Sequence, residues 1–153
     1  MQLDIQERVT NARNFFTAGY NCAQAVALAY ADIIDLDEQS IAKLTASFGG
    51  GMSRLREVCG AVSGMAFVAG ALIPADNPQN TTAKRENYAL MQSFAAAFAK
   101  ENGSIICREI LKNPATDPNP SPRTAEYYAK RPCARMVMTA AELMDQFIAE
   151  HPL

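Results

Sequence analysis

Four cysteines are the residues of this sequence that point most directly to chemistry. Cys22, Cys59, Cys107 and Cys133 are each predicted to lie at or near the start of a helix. A helix start presents unpaired backbone N–H groups and a partial positive charge, which should make a thiol there more acidic. Because the thiolate is the form that attacks disulfides and binds metals, this placement predicts redox or soft-metal chemistry at one sulfur-lined site.

The intervals between the cysteines exclude the compact sulfur motifs. Successive cysteines lie 37, 48 and 26 residues apart, so the sequence holds no C-x-x-C pair of a thioredoxin, a zinc ribbon or a haem attachment site. A common site must be assembled by the tertiary fold, and segments of these lengths close at little extra entropic cost. The alternative is that each cysteine packs as a small apolar residue, but packing gives no reason for four helix starts.

The elements that must position these cysteines are helices. Helical periodicity of apolar residues runs through nearly the whole chain and predicts an all-α bundle of six to seven helices. Asn21 is a favourable N-cap before Cys22, and Pro132 occupies a favourable first-turn position before Cys133. We expect a single domain over residues 1–153, in which residues 113–122 form an exposed proline-rich loop.

A run of three glycines, Gly49, Gly50 and Gly51, gives the sharpest break in the helical pattern. Glycine permits the left-handed backbone that ends a helix and lets another segment approach closely. The run is not a phosphate loop, because the lysine and the preceding strand of that motif are missing. Its short distance from Cys59 along the chain suggests that it covers the sulfur site.

The composition excludes several classes of protein. A formal net charge of -2 gives no electrostatic footprint for nucleic acid or an anionic membrane surface. The longest apolar stretch, from Val58 to Pro74, is too short and too rich in glycine for a membrane span. The first residues form neither a basic nor an apolar leader, so we expect a cytoplasmic protein, in which structural disulfides are rare.

Several segments resemble a known family. They are GYNCAQAV around Cys22, FGGG at residues 48–51, CGAVSG from Cys59, GSIICREI around Cys107, and the helix at Cys133. The sequence resembles the C_GCAxxG_C_C family, which is named for four cysteines and a CGAxxG motif, over nearly its whole length. This resemblance implies a small all-helical domain with a redox role inferred from its cysteines. A further similarity, to the sulfur-bearing domain of split-Soret cytochromes, implies an iron–sulfur centre, and family members often lie beside transport genes.

One stretch departs from the family pattern. Family members often carry another glycine-rich turn before the second cysteine, whereas this chain has MSRLRE, with Arg54 and Arg56. These arginines either bring positive charge near the sulfurs or belong to a solvated loop.

Three functions remain open from the sequence. In the first, cysteine pairs carry out thiol–disulfide exchange or electron transfer, and Arg54, Arg56 or Arg108 stabilises a thiolate. Four cysteines allow three pairings, and the sequence does not choose among them. Cys59 is our hypothesis for the central cysteine, because Gly60 and Gly64 clear space around it.

In the second function, Cys22, Cys59, Cys107 and Cys133 bind an iron–sulfur cluster or zinc. The sole histidine, His151, is close to the chain end and is predicted to be a surface residue, which leaves all-sulfur ligation. In the third, the protein is a non-enzymatic helical adaptor with incidental cysteines, and its apolar helix after Cys59 supports a homodimer. The sequence does not separate an enzyme from a carrier. Its partner would be a redox protein or a transport-associated protein.

Overall fold

The structure, a computed structural model, describes residues 5–153 of the chain, so the first four residues of the predicted domain lie outside it. The described part is built from helices, with no strand among its elements, and the predicted all-α class is confirmed. Its elements are α1 (Ile5–Thr17), α2 (Cys22–Leu28), α3 (Ala31–Ile34), α4 (Glu38–Thr45), a 3-10 turn (Ala46–Phe48), α5 (Gly49–Met52), α6 (Gly60–Leu72), α7 (Thr81–Asn102), α8 (Cys107–Leu111), α9 (Ala125–Lys130) and α10 (Cys133–Glu150).

The longer helices match the predicted number, and the shorter ones add to it. Six helices of the described chain have seven residues or more, and α8, which begins at Cys107, is the predicted seventh. The additions are α3 and α9, together with α5, a turn whose Gly50 and Gly51 have left-handed backbone. One or two turns contain too few apolar positions to display a period of 3.6 residues, so sequence periodicity does not detect them.

Local sequence fixes where α2 begins. The Asn21 side chain accepts a hydrogen bond from the Gln24 N–H, and the Gln24 side chain accepts one from the Asn21 N–H, each at 3.0 Å. This reciprocal capping satisfies two donors that a helix start would leave unpaired. Gly19, with a φ of 114°, reverses the chain after α1, so that Cys22 becomes the first residue of the next helix.

Small residues bring α2 and α6 into close contact. A Cβ on Gly64 would lie 2.8 Å from the Cβ of Val26, and a Cβ on Gly60 would lie 3.2 Å from the Cβ of Cys22. Any larger side chain at Gly64 would push the helices apart. Gly60 and Gly64 therefore make room for α2, and they hold Cys22 beside the start of α6, where Cys59 lies.

The remaining long helices enclose this pair. Helix α10 packs against α1, α2, α6 and α7, and α7 also lies along α6. Their shared core is apolar, with Phe98, Met136, Val137 and Met144 all fully buried. Within residues 5–153, no helix combines the length and the apolar character that crossing a membrane would require.

A buried polar network crosses this core between α1 and α10. The Arg8 guanidinium lies 2.8 Å from an Asp32 carboxylate oxygen and 3.5 Å from one of Asp145. The Tyr30 hydroxyl lies 2.8 Å from both an Asp145 oxygen and the Ala141 carbonyl. These buried polar groups thus neutralise one another, which is what makes their burial tolerable.

Candidate functional site

The four cysteines, separated in sequence, lie around one cavity. Cys22, Cys107 and Cys133 are the first residues of α2, α8 and α10, and Cys59 is the N-cap of α6, as the sequence predicts. All four line a cavity of about 400 Å³, which we call the sulfur cavity. The four thiols are free, and each is buried or half-buried. The tertiary fold therefore brings together around one cavity four cysteines that are far apart in the sequence.

A short antiparallel contact brings the second and third cysteines together. Val58 and Ile106 form an isolated β-bridge. On either side of it, the Cys59 N–H donates to the Ile105 carbonyl and the Cys107 N–H donates to the Glu57 carbonyl, both at 2.7 Å. Cys59 and Cys107 are therefore diagonal neighbours on one face of the bridge, and this bridge sets both of them at the wall of the sulfur cavity.

The triple glycine forms one wall of the sulfur cavity. Gly50 and Gly51 both have a φ of 68°, the left-handed backbone that glycine adopts without strain. A Cβ on Gly51 would lie 2.6 Å from the Cβ of Cys107, and a Cβ on Gly49 would overlap the Asn21 side chain. The run thus packs directly against two cysteine-bearing segments and covers the site.

The segment after the glycines holds an unusual backbone. Met52, Ser53, Arg54 and Arg56 all have φ values between 52° and 66°, although none is glycine. Left-handed backbone at such residues costs free energy and persists only where surrounding contacts impose it. Its effect here is to turn Arg56 inward, so that its side chain is 1% exposed and lines the sulfur cavity.

Arg56 brings a positive charge close to a sulfur of the cavity. Its Nε donates to the Ala115 carbonyl at 2.9 Å, and one terminal nitrogen lies 3.7 Å from the Cys107 sulfur. Its other terminal nitrogen is buried with no hydrogen-bond partner among the described residues. Of the two arginines in this stretch, Arg56 is the one that brings positive charge to a sulfur. Arg108 does not, since it forms an ion pair with Glu57 at 3.1 Å and stays half exposed.

Two further arginines reach the cavity from the chain around α9. Arg123 donates to the Phe16 and Tyr20 carbonyls at 3.0 Å, and Arg131 donates to the Ser121 hydroxyl at 3.1 Å. Their guanidinium groups lie over the Tyr127 ring, at 4.9 and 4.8 Å from its centre. Sequence reasoning missed both. Arg131 had a signal, because it is two residues from Cys133, whereas nothing in the pattern singles out Arg123.

The proline-rich loop does more than the sequence indicated. Most of its residues are exposed, but Pro118, Pro120 and Ser121 line the sulfur cavity. Arg54 holds this loop in place, with its Nε donating to the Asp117 carbonyl at 2.7 Å and an ion pair to the Asp117 carboxylate at 3.6 Å. The loop therefore forms part of the cavity wall.

The acidity of Cys133 differs from that of the other thiols. The Cys22 thiol donates toward the Cys133 sulfur, and the nearby Arg131, Arg123 and Arg56 add positive charge. Together these lower the pKa of Cys133 to about 7. Cys133 is therefore the thiol of this cavity that most readily becomes thiolate, the nucleophilic form.

The other three thiols are less acidic than an ordinary cysteine, which corrects the expectation for helix starts. The contact with Cys133 and burial raise the pKa of Cys22 well above its usual value. Burial raises the pKa of Cys59 to about 12, although the Ala61 and Val62 N–H groups favour its thiolate. Burial also raises the pKa of Cys107 against the opposing charge of Arg56. The cost of burying a charge outweighs the helix-start amides. The hypothesis that Cys59 is the central cysteine gains no support from this order.

The metal-binding alternative can be tested against the same geometry. Among the described residues, no three of the side chains that bind metals come together as a group that could hold an ion. The sulfurs face one cavity, but they are not drawn into a preformed tetrahedron. His151 is exposed and stacks on Phe147 with ring centres 4.3 Å apart, as a surface residue should.

Comparison with known proteins agrees with the four-cysteine pattern. A family model described as "Putative redox-active protein (C_GCAxxG_C_C)" matches residues 20–147, a span that contains all four cysteines. No match was found among curated proteins or solved structures.

Proposed function

The chain belongs to the C_GCAxxG_C_C family, and from that premise we propose that it is a thiol–disulfide redox protein whose active pair is Cys133 and Cys22. One observation carries the proposal. Cys133 is the acidic thiol of the sulfur cavity, Cys22 lines the same cavity, and the Cys22 thiol is the largest single influence on the pKa of Cys133. Thiol–disulfide exchange needs such a pair, with one nucleophile and one thiol within reach of it.

The first step uses the Cys133 thiolate. Its sulfur attacks one sulfur of a partner's disulfide, the partner's S–S bond breaks, and a mixed disulfide forms on Cys133. The departing thiolate takes a proton from solvent. Arg123 and Arg131 stabilise the Cys133 thiolate before the attack by their positive charge.

The second step uses Cys22. The main cause of its raised pKa is its contact with Cys133, and that cause disappears once Cys133 is in a mixed disulfide. Cys22 then loses its proton and attacks the Cys133 sulfur. The second partner thiolate leaves and takes up the proton that Cys22 released. Two electrons have moved from the Cys22–Cys133 pair to the partner's disulfide. A dithiol reductant of a reducing compartment, which we propose is the cytoplasm, returns the pair to its dithiol form and is itself oxidised to a disulfide.

Cys59 and Cys107 have a supporting role in this proposal. Both are buried, and both are less acidic than an ordinary thiol. Cys107 contacts Arg56, so it helps to keep that guanidinium inside the cavity.

The test is the pH dependence of alkylation at each cysteine. Reduced protein is treated with iodoacetamide for short times from pH 5 to 10, and each cysteine peptide is quantified by mass spectrometry. We expect Cys133 to react first with a midpoint near pH 7, and Cys59 to stay unmodified until much higher pH. Cys107→Ser is the matched control and should keep the fast phase, whereas Cys133→Ser should lose it. Four cysteines that react together only above pH 8 would contradict the proposal.

A further inference from the structure

The charges around the sulfur cavity are unbalanced. Arg54, Arg56, Arg123 and Arg131 all line it, and none of the described residues that line it is acidic. Such a wall raises the local concentration of anions and favours their binding.

The contacts of these arginines leave most of the positive charge uncompensated. Arg54 has the Asp117 carboxylate at 3.6 Å. The hydrogen bonds of the other three go to neutral groups: the Phe16, Tyr20 and Ala115 carbonyls, the Ser121 and Tyr128 hydroxyls and the Cys107 sulfur. The cavity wall therefore holds three guanidinium groups without a carboxylate partner and one thiolate, that of Cys133. Positive charge exceeds negative charge there, so the cavity can accept a further anion.

Arg56 identifies where further negative charge would lie. Its side chain is 1% exposed, and one of its terminal nitrogens is buried without a partner. A buried polar group in this state is costly unless something bonds it, and a guanidinium matches the planar fork of a carboxylate. Because Arg56 lines the cavity, a molecule inside the cavity can supply that acceptor.

The size and remaining walls of the cavity indicate a small organic molecule. Its volume of about 400 Å³ falls within the roughly 300–1,000 Å³ of ligand pockets. Pro118, Pro120 and Tyr127 provide apolar surface between the arginines, which suits a short methylene chain. A folded protein partner would not fit inside this space.

We propose that the sulfur cavity is a binding site for a small organic acid, whose carboxylate binds Arg56, and that the redox substrates of the protein are low-molecular-weight disulfides bearing such acid groups. The substrate class rests on the proposed exchange at Cys133, whereas the acid site rests on Arg56 and the acid-free wall. Exchange follows the two steps given above, so each disulfide consumed yields two thiols and one Cys22–Cys133 disulfide.

The substrate class is tested with three disulfides of similar length and different charge. Dithiodipropionate is anionic, dithiodiethanol is neutral and cystamine is cationic. Their rates of oxidising the reduced protein are followed by the loss of two free thiols per chain. We expect dithiodipropionate to react about tenfold faster than dithiodiethanol, cystamine to react slowest, and the anionic preference to shrink as salt is added.

The acid site is tested without any redox step. Suberate has the length of dithiodipropionate with methylenes in place of both sulfurs, and its binding is measured by calorimetry and by protein NMR shifts. We expect Arg56→Met to weaken suberate binding about tenfold or more, and Arg108→Met, which removes an exposed arginine from the neighbouring segment, to leave it unchanged.

The outcomes separate the two proposals. Absence of suberate binding to the wild-type protein, or equal rates for all three disulfides, would overturn the acid site while leaving exchange at Cys133 in place. Suberate binding that needs Arg56, without oxidation by any disulfide, would overturn the proposed exchange and support the acid site. If Arg56→Met does not fold, the wild-type comparison of suberate with neutral octanediol decides, since equal binding would overturn the acid site.

Discussion

Two arginines lie fully buried in this protein, and each keeps one nitrogen without a hydrogen-bond partner among the described residues, but the charges around them differ. Arg8 is 2% exposed and lies between the carboxylates of Asp32 and Asp145, with its guanidinium 5.3 Å from the centre of the Tyr30 ring. Arg56 is 1% exposed and contacts a carbonyl and the Cys107 sulfur, and no acidic residue of the described chain lines its cavity.

The difference separates a structural charge from a functional one. The Arg8 charge is neutralised within the core by groups that the fold itself supplies. The Arg56 charge faces a cavity and a set of thiols, and it is held there by a backbone that non-glycine residues adopt only under constraint. We therefore expect changes near Arg8 to alter stability, and changes around the sulfur cavity to alter reactivity.

The largest expected effect is on the reactivity of the sulfur cavity, and it comes from changing Cys133. Cys133→Ser removes the acidic thiol, so exchange with dithiodiethanol should fall at least about 100-fold. Cys22→Ser should instead trap a mixed disulfide on Cys133, visible as one added mercaptoethanol group in the intact mass. Cys59→Ser is the control, with exchange within about twofold of wild type. Full activity of Cys133→Ser would remove the basis of the proposed function.

The next largest effect is on the stability of the fold, and it comes from changing Arg8. Arg8→Met leaves a buried carboxylate without its partner, so the free energy of unfolding should fall by about 3–5 kcal/mol. Urea denaturation measures this, with Arg13→Met, an exposed arginine on the same helix, as the control within about 0.5 kcal/mol. The alkylation rate of Cys133 in folded Arg8→Met protein should not change. A slower rate in that variant would show that the two regions are coupled.

The pH dependence of stability should come in part from the same network. Burial raises the pKa of Asp145 to about 6, above its ordinary value of 3.8, so between these limits the folded state holds a proton that the unfolded state releases. The contribution of Asp145 to stability therefore falls as pH rises from about 4 to above 6, by up to about 3 kcal/mol. Asp145→Asn should remove this pH-dependent contribution. It is measured by comparing the curves of unfolding free energy against pH for the wild-type and variant proteins. Parallel curves for the two proteins would contradict the assignment.

A smaller effect is expected at Arg131. Its charge is one of those that lower the pKa of Cys133, so Arg131→Met should move the alkylation midpoint of Cys133 to higher pH. At neutral pH the alkylation rate should fall by about threefold, because less thiolate is present. Lys130→Met removes an adjacent exposed charge that is paired with Glu126 at 2.6 Å, and it should leave the midpoint in place. An unchanged midpoint in Arg131→Met would show that the charge of Arg131 does not lower the pKa of Cys133.

Much of the sulfur site could be predicted because its signals are local. The cap at Asn21, the proline before Cys133 and the triple glycine are each readable from a few neighbouring residues, and each lies where the sequence indicates. The same local signals overstated the acidity of Cys22, Cys59 and Cys107. Burial raises the pKa at Cys59 and Cys107, and the neighbouring Cys133 does so at Cys22. Both causes are properties of the packed fold rather than of a helix start.

The charges could not be predicted, because their roles depend on contacts between distant segments. Arg8 and Asp145 lie at opposite ends of the sequence, and each alone looks like a solvated position on a helix. From the sequence, Arg56 is consistent with either a position beside the sulfurs or a solvated loop. The residues after Gly51 that turn it inward have left-handed backbone, but none of them is a glycine that would indicate this. Arg123 reaches the site only because α9 folds back toward the end of α1.

The most direct measurement for the account is a map of the disulfide formed on oxidation. Reduced protein is oxidised with dithiodiethanol, its remaining thiols are blocked, and the digested peptides are identified by mass spectrometry. The account predicts one cross-link, between the Cys22 and Cys133 peptides, with Cys59 and Cys107 recovered as blocked thiols. A cross-link that joins any other two cysteines, or four blocked thiols with none joined, would contradict it.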